Sequence, residues 1–116
     1  MKATYWQPGA KIDFANATEN KIEANTVVTL GGRIGVVGTD IEPGAVGSVI
    51  TEGVFILDKT SSSTAVALGD ALYFDGTGIT KDASATVDEE TVNNTPAGWA
   101  IKASASGDAT VYVKIG

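Results

Sequence analysis

The chain contains no cysteine and no histidine among its 116 residues. Without cysteine it forms no disulfide, offers no thiolate to a metal ion and has no cysteine nucleophile. Without histidine it lacks the most common general base and the most common metal ligand. Serine is plentiful in Ser61–Ser63, but no serine–histidine triad can form there. We therefore expect no catalytic residues, no enzyme activity, no cofactor and no metal site.

Basic residues are also few. The chain has 8 lysine and arginine residues against 14 aspartate and glutamate residues, and its formal net charge is −6 at pH 7. Nucleic-acid binding depends on clustered lysine and arginine side chains that displace counterions from the phosphates. We therefore expect the protein to bind neither DNA nor RNA.

Long apolar runs are missing as well. None approaches the roughly 20 residues that a membrane-spanning helix requires. The chain also does not open with the basic segment and apolar segment of a secretory signal. We expect no membrane association, and we expect the protein to be made in the cytoplasm and to leave it only as part of a larger assembly.

No segment of ten or more residues shows sustained helical periodicity. Short β-branched and aromatic stretches alternate instead with glycine-bearing turns, which is typical of an all-β fold. The longest apolar stretch, Val46–Leu57, is interrupted by Gly53, and a single glycine inside a strand pattern indicates a bulge or a bend. We predict that one strand bends into another there, with most of its side chains in the core.

Further strands are predicted at Lys11–Phe14, Thr26–Leu30, Leu68–Phe74, Gly98–Ala103 and Ala109–Ile115. In the last of these, valine and isoleucine alternate with Tyr112 and Lys114, so the two sets should point to opposite faces. The sequence thus predicts a single all-β domain over residues 1–116, built from short, mostly antiparallel strands. Whether these strands form a barrel, a sandwich or a tulip-like arrangement stays open.

Two segments are predicted to lie outside the strands. Residues 1–9 carry two aromatic side chains before a Pro-Gly turn signal and form a possible N-terminal arm. Residues 82–94 are polar, with three consecutive acidic residues at the centre, and are predicted to form an acidic surface loop.

Three patterns resemble chemical sites but have simpler interpretations. Gly32, Gly35 and Gly38 flank Arg33, yet the lysine and the following helix of a phosphate-binding loop are missing. Asp75–Gly78 resembles the start of a calcium loop, but the position of the required glutamate holds threonine, so a hairpin turn is favoured. The carboxylate pairs Glu89 with Glu90 and Asp13 with Glu52 are interpreted as solvated charges.

The aromatic residues are the more informative candidates. Trp99 follows a glycine inside a strand and is predicted to lie in the core. For Trp6, anchoring in the core and docking to a partner are both open interpretations. Tryptophan and tyrosine are enriched at binding hot spots because they combine a large apolar area with a polar group. The candidate partner contact is therefore the arm, with Tyr5, Trp6, Gln7 and Pro8.

Three stretches together carry a family resemblance: Gly35–Gly44 continuing through Glu52–Phe55, Gly69–Asp75, and Asn94–Ala100 continuing through Gly107–Val111. Their order and spacing resemble the tailed-phage capsid decoration (cement) proteins, formerly catalogued as a domain of unknown function and sometimes labelled phage recombinase. The resemblance covers most of the chain, from Val27 to the C-terminus. The sequence departs from the family pattern at Gly9-Ala10 and Ala24-Asn25, where Gly-Asp is common. No phosphate-binding loop or basic surface supports the recombinase label.

The resemblance implies a structural role on the virion. A member of this family is expected to bind the outer surface of a phage head, commonly as a homotrimer, and to stabilise contacts between major capsid protein subunits. Alternatives from other classes are a tail or neck structural protein, a carbohydrate-binding module displayed on the virion, and an enzyme that acts through carboxylates alone.

Overall fold

The computed structural model describes the whole chain, Met1–Gly116, and contains strands and turns but no helix. The strands are β1 (Lys11–Ala15), β2 (Val27–Thr29), β3 (Ile34–Val37), β4 (Val46–Ile50), β5 (Gly53–Asp58), β6 (Ala71–Phe74), β7 (Ile79–Thr80), β8 (Ser84–Val87), β9 (Glu90–Asn93), β10 (Thr95–Ala100) and β11 (Thr110–Ile115). Neighbouring strands in each sheet are antiparallel. The predicted fold class, a small all-β domain of short antiparallel strands, is confirmed.

The strands form two curled sheets and a separate hairpin. The four-stranded sheet has the order β1-β4-β3-β2, the five-stranded sheet has the order β5-β11-β10-β6-β7, and β8 pairs only with β9. The curled sheets together make a half-barrel. Gly53, with φ of 133°, lies where β4 has ended and β5 begins. The predicted bend is therefore present, and it carries the chain from one sheet into the other.

The main core lies between the two sheets. It consists of ten buried side chains: Ile34, Val36, Val66, Leu72, Ile79, Ala97, Ala100, Val111, Val113 and Ile115. In β11 the predicted alternation is confirmed, because Val111, Val113 and Ile115 are buried while Tyr112 and Lys114 are only half-buried. Each sheet contributes one face to this core, as the two-residue period of a strand requires.

The opposite face of the four-stranded sheet is also covered. Val37, Ile41 and Val49 are almost completely buried, although they lie outside the main core. Ile41 packs so closely on Gly47 that a Cβ added there would lie 2.5 Å from the Ile41 Cγ1 atom. Glycine is needed at this position because any side chain would displace Ile41 from the sheet.

The prediction that most side chains of Val46–Leu57 lie in the core is wrong. Val46, Val54 and Ile56 are 66%, 49% and 58% exposed, whereas Val49 is fully buried. Phe55 and Leu57 are half-buried against the core. The reason is the two-residue period of the strands, which turns every second apolar side chain of the run away from the core.

The prediction of a surface loop at residues 82–94 is also wrong in its local structure. β8 and β9 pair through four cross-strand positions, and all of their residues are exposed. Asp88 and Glu89 join them with φ of 50° and 65°, the left-handed values that a two-residue hairpin turn requires. The segment is thus an exposed β-hairpin with an acidic tip.

In two turns, an aspartate carboxylate accepts a hydrogen bond from the backbone N–H group three residues earlier. Asp70 Oδ2 accepts a hydrogen bond from the Ala67 N–H at 2.9 Å, and Asp108 Oδ2 accepts one from the Ala105 N–H at 3.0 Å. These turns account for the repeated Gly-Asp-Ala of the sequence through shared turn chemistry.

Lys59 is a buried charged residue that ties two loops together. Its ammonium group donates to the carbonyl oxygens of Thr64 at 2.7 Å and Ala105 at 3.1 Å. A buried cation without such acceptors would be strongly unfavourable. The polar loop after β5 is therefore held against the turn that precedes β11.

Candidate interaction surface

The largest cavity, of about 620 Å³, is lined by residues of both sheets, among them Ile34 of β3 and Ala97 of β10. Of the residues around it, only Arg33 and Glu52 have ionisable side chains. No group of three or more acidic side chains lies close enough together to hold a metal ion. The carboxylates of both sequence pairs, Glu89 with Glu90 and Asp13 with Glu52, are exposed.

The glycines beside Arg33 have a packing role. A Cβ on Gly35 would lie 2.6 Å from the Val49 Cγ2 atom, and a Cβ on Gly38 would lie 3.2 Å from the Ser48 Oγ atom. Both glycines let β3 and the residue that follows it approach β4 closely. Because no helix follows them, the structure lacks the helix N-terminus of a phosphate-binding loop.

The Asp75 carboxylate closes the turn between β6 and β7. Its Oδ1 atom accepts hydrogen bonds from the backbone N–H groups of Thr77 and Gly78, each at 2.9 Å, and its Oδ2 atom accepts one from the Thr60 hydroxyl at 2.6 Å. Partial burial raises the pKa of Asp75, but these hydrogen bonds outweigh it and the pKa lies below the ordinary value of 3.8. The hairpin-turn interpretation of this motif is the one that the structure shows.

The lowered pKa of Asp75 leads to a prediction about acid stability. A carboxylate with a depressed folded-state pKa stabilises the fold above the unfolded value of about 3.9, and this contribution is lost as the pH falls through the folded-state pKa. The Asp75→Asn variant has an amide in place of the carboxylate, so it binds no proton at this position as the pH falls. Urea denaturation between about pH 5 and pH 2 should therefore show a smaller loss of unfolding free energy for the variant than for the parent.

Asp70 provides the companion variant for this measurement. The backbone N–H of Ala67 and then the Lys81 ammonium, at 3.2 Å from Oδ2, hold the pKa of Asp70 below its ordinary value. Asp70→Asn should act in the same direction, and the double variant should show the weakest pH dependence. If the unfolding free energy of the double variant fell with pH as steeply as that of the parent, the stabilising role assigned to the Asp70 and Asp75 carboxylates would be contradicted.

The N-terminal arm is the first of three exposed features. Residues 1–9 belong to no strand and are all exposed, and Tyr5 and Trp6 are 80% and 84% exposed. The arm joins the body at Thr51, whose hydroxyl donates to the Gly9 carbonyl oxygen and whose N–H donates to the Ala10 carbonyl oxygen at 2.9 Å. Trp6 is therefore not a core residue, and the structure leaves it available for contact.

The outer face of the five-stranded sheet is the second exposed feature. Across the sheet Lys114 pairs with Val54 on one side and with Trp99 on the other, and Ile56 pairs with Tyr112. Paired residues of antiparallel strands project on the same side. We define the outer face by six residues on this side of the sheet: Val54, Ile56, Trp99, Lys102, Tyr112 and Lys114.

The outer face combines apolar and basic groups. The Lys102 Nζ atom lies 4.1 Å from the centre of the Tyr112 ring, within the range of a cation–π contact. Neither Lys102 nor Lys114 has a carboxylate within ion-pair distance. In a chain of net negative charge, this face presents two unpaired lysines beside exposed apolar side chains. Asp58, which pairs with Thr110 and projects on the same side, is exposed and also has no ion pair.

The prediction that Trp99 lies in the core is wrong. Its side chain is 43% exposed, because the register of β10 places Ala100 and Ala97 inward and Trp99 outward with Lys114. The alternation of β11, in which Tyr112 and Lys114 point outward, is the signal that could have revealed an exposed aromatic face. The pairing of β10 with β11 was needed to place Trp99 on it.

The β8–β9 hairpin is the third exposed feature. Cross-strand pairing places Ala85, Val87, Val92 and Glu90 on one side of the hairpin, and serine, threonine and asparagine on the other. Val87 and Val92 are 53% and 48% exposed. The hairpin is thus amphipathic, and its apolar side faces solvent.

These features define the class of protein: a small all-β module whose distinctive surfaces are exposed apolar and aromatic groups, which are typical of binding surfaces. The structure contains no helix with the length and apolar character needed to cross a membrane. The family model for phage cement proteins matches residues 6–115 of the chain. Comparisons with curated proteins and with solved structures gave no significant match.

The chain belongs to the phage cement protein family. The resemblance drawn from the sequence motifs is thereby confirmed, and it extends further toward the N-terminus than those motifs. Membership indicates a structural role associated with the phage capsid and its proteins. The match includes Trp6, Gln7 and Pro8 of the arm and begins one residue after Tyr5.

Proposed function

We propose that this protein binds the outer surface of a phage head and stabilises the contacts between major capsid protein subunits. The observation that carries the proposal is the match to phage cement proteins over residues 6–115. A protein that binds only the assembled shell stabilises it by mass action, because dissociation of the shell must first release the bound protein. No reactive group is needed for this role, and the protein is not an enzyme.

The arm is the proposed contact with the capsid. Tyr5 and Trp6 are largely exposed, and their neighbours Gln7 and Pro8 extend the same segment. Large aromatic side chains at the centre of an interface commonly dominate its binding energy. Several copies of the protein, assembled as a homotrimer, would bind with greater avidity than one arm alone.

The charge of the chain supports a position outside the shell. The formal net charge of −6 disfavours contact with nucleic acid, whose phosphates would repel it. We propose that the protein is made in the host cytoplasm and joins the exterior of the head, without contacting the packaged genome or a membrane.

The test compares heads assembled with and without the protein. Heads that carry it should retain their structure at higher temperature, as measured by the release of packaged DNA on heating. Equal resistance of the two preparations would contradict the stabilising role. Electron cryo-microscopy of the same particles should place the density on the head exterior, and density confined to the tail or neck would favour the alternative structural role.

A further inference from the structure

The β8–β9 hairpin has no partner within its own chain. Residues 81–93 are all exposed, and the base of the hairpin is held by Asn94, which donates from its side chain to the Asp82 carbonyl oxygen and from its backbone to the Ala83 carbonyl oxygen. An isolated two-stranded hairpin is marginally stable in water, and stability requires a third strand or a surface to pack on. The radius of gyration, 15.6 Å, exceeds the value of about 13 Å for a compact chain of this length. The molecule is therefore less compact than a typical domain of this length, and residues 1–9 and 81–93 are among its fully exposed segments.

The apolar side of the hairpin and its acidic tip specify the surface that would cover it. Val87 and Val92 need an apolar surface, while Asp88, Glu89 and Glu90 need positive charge, and none of these carboxylates has an ion pair within the chain. The outer face offers both, because Val54, Ile56 and Trp99 lie beside the unpaired Lys102 and Lys114.

We propose that the β8–β9 hairpin of one copy packs on the outer face of a second copy. This deepens the proposed function by naming the surfaces that join the copies of the homotrimer. The apolar side of the hairpin covers the exposed apolar groups of the outer face, and the acidic tip faces its two lysines. Because the hairpin and the outer face are different surfaces of the same chain, the contact is head-to-tail, and in the proposed homotrimer it closes a ring of three copies.

Charge reversal of the two surfaces tests the contact on the free protein. The parent chain should be an oligomer at micromolar concentration by light scattering. Lys102→Glu with Lys114→Glu, or Glu89→Lys with Glu90→Lys, should each weaken assembly by about 100-fold or more, because like charges then face each other. The chain with all four substitutions should assemble again. The matched control for the lysine reversal, Lys11→Glu with Arg33→Glu, changes the net charge by the same amount on exposed residues that have no ion pair, and it should remain oligomeric.

Three results would overturn the proposal: a parent chain that is monomeric at every concentration, reversed variants that assemble like the parent, or a fourfold variant that stays monomeric. Circular dichroism of each variant checks that it is folded, as expected for substitutions of exposed or half-buried side chains. Binding of the same variants to heads is measured separately. A monomer that still attaches to heads and protects them would overturn this contact and leave the proposed function intact.

Discussion

Replacing Gly98 with alanine is expected to destabilise the fold by about 4 kcal/mol or more, a loss at the extreme of single substitutions. Gly98 has φ of 145°, a conformation that side chains rarely adopt. An added Cβ would overlap the Lys114 carbonyl oxygen and lie 2.9 Å from its carbon. Since Lys114 belongs to the neighbouring strand, relief of the overlap must separate β10 from β11 at the centre of the five-stranded sheet. Urea denaturation followed by circular dichroism measures the loss.

Two other glycines provide a graded control for this substitution. Gly76 has φ of 95°, but an added Cβ would meet nothing within 4 Å, so Gly76→Ala should cost only the backbone strain of about 1 to 2 kcal/mol. Gly32 has neither a positive φ nor a neighbour within 4 Å, and Gly32→Ala should be close to neutral. If Gly98→Ala proved no more costly than Gly76→Ala, the close approach of β10 and β11 would be refuted.

Removal of Met1–Pro8 is expected to reduce attachment to phage heads by about 30-fold or more while leaving the melting temperature unchanged. The deleted residues are all exposed, so their loss removes no core packing. Gly9 is retained because its carbonyl oxygen accepts a hydrogen bond from Thr51. A hot-spot aromatic residue contributes about 2 kcal/mol or more on truncation, which corresponds to the stated change in affinity. Co-sedimentation of the protein with heads measures attachment.

Point variants distinguish a specific contribution of the arm to attachment from the effect of losing any exposed apolar side chain. Trp6→Ala and Tyr5→Ala should each account for a large part of the effect of the deletion. Leu68→Ala is the matched control, because Leu68 is also a well-exposed apolar residue, at 66%, and lies away from the arm. Undiminished attachment of the truncated chain would exclude the arm as the capsid contact, and a lowered melting temperature would show that the arm supports the fold.

The fold class could be predicted from the sequence because strand-forming stretches and glycine turns are local signals. The bend at Gly53 and the alternation in β11 were likewise visible in the order of the residues. The exposure of Ile56 could not be predicted in this way, because an apolar run is also compatible with a strand that is buried on both faces. The register of β5 against β11 is a tertiary property, and it turns Ile56 outward.

The candidate surface was only partly predictable for the same reason. The arm could be identified because Tyr5 and Trp6 precede the first strand and a turn signal. The outer face depends on the pairing of β5, β11 and β10, which brings residues from distant parts of the chain together. The hairpin was hidden by its composition, because the Asp88-Glu89 turn lacks the glycine or asparagine that usually marks a two-residue turn.

The way in which the arm leaves the body has a mechanical consequence. The arm continues directly into β1, which pairs with β4 from Lys11 opposite Ile50 to Ala15 opposite Val46. A pull along the axis of β1 loads the hydrogen bonds of this ladder together, whereas a pull across the strand breaks them one after another. An arm anchored in this way resists sliding forces and yields more readily to peeling.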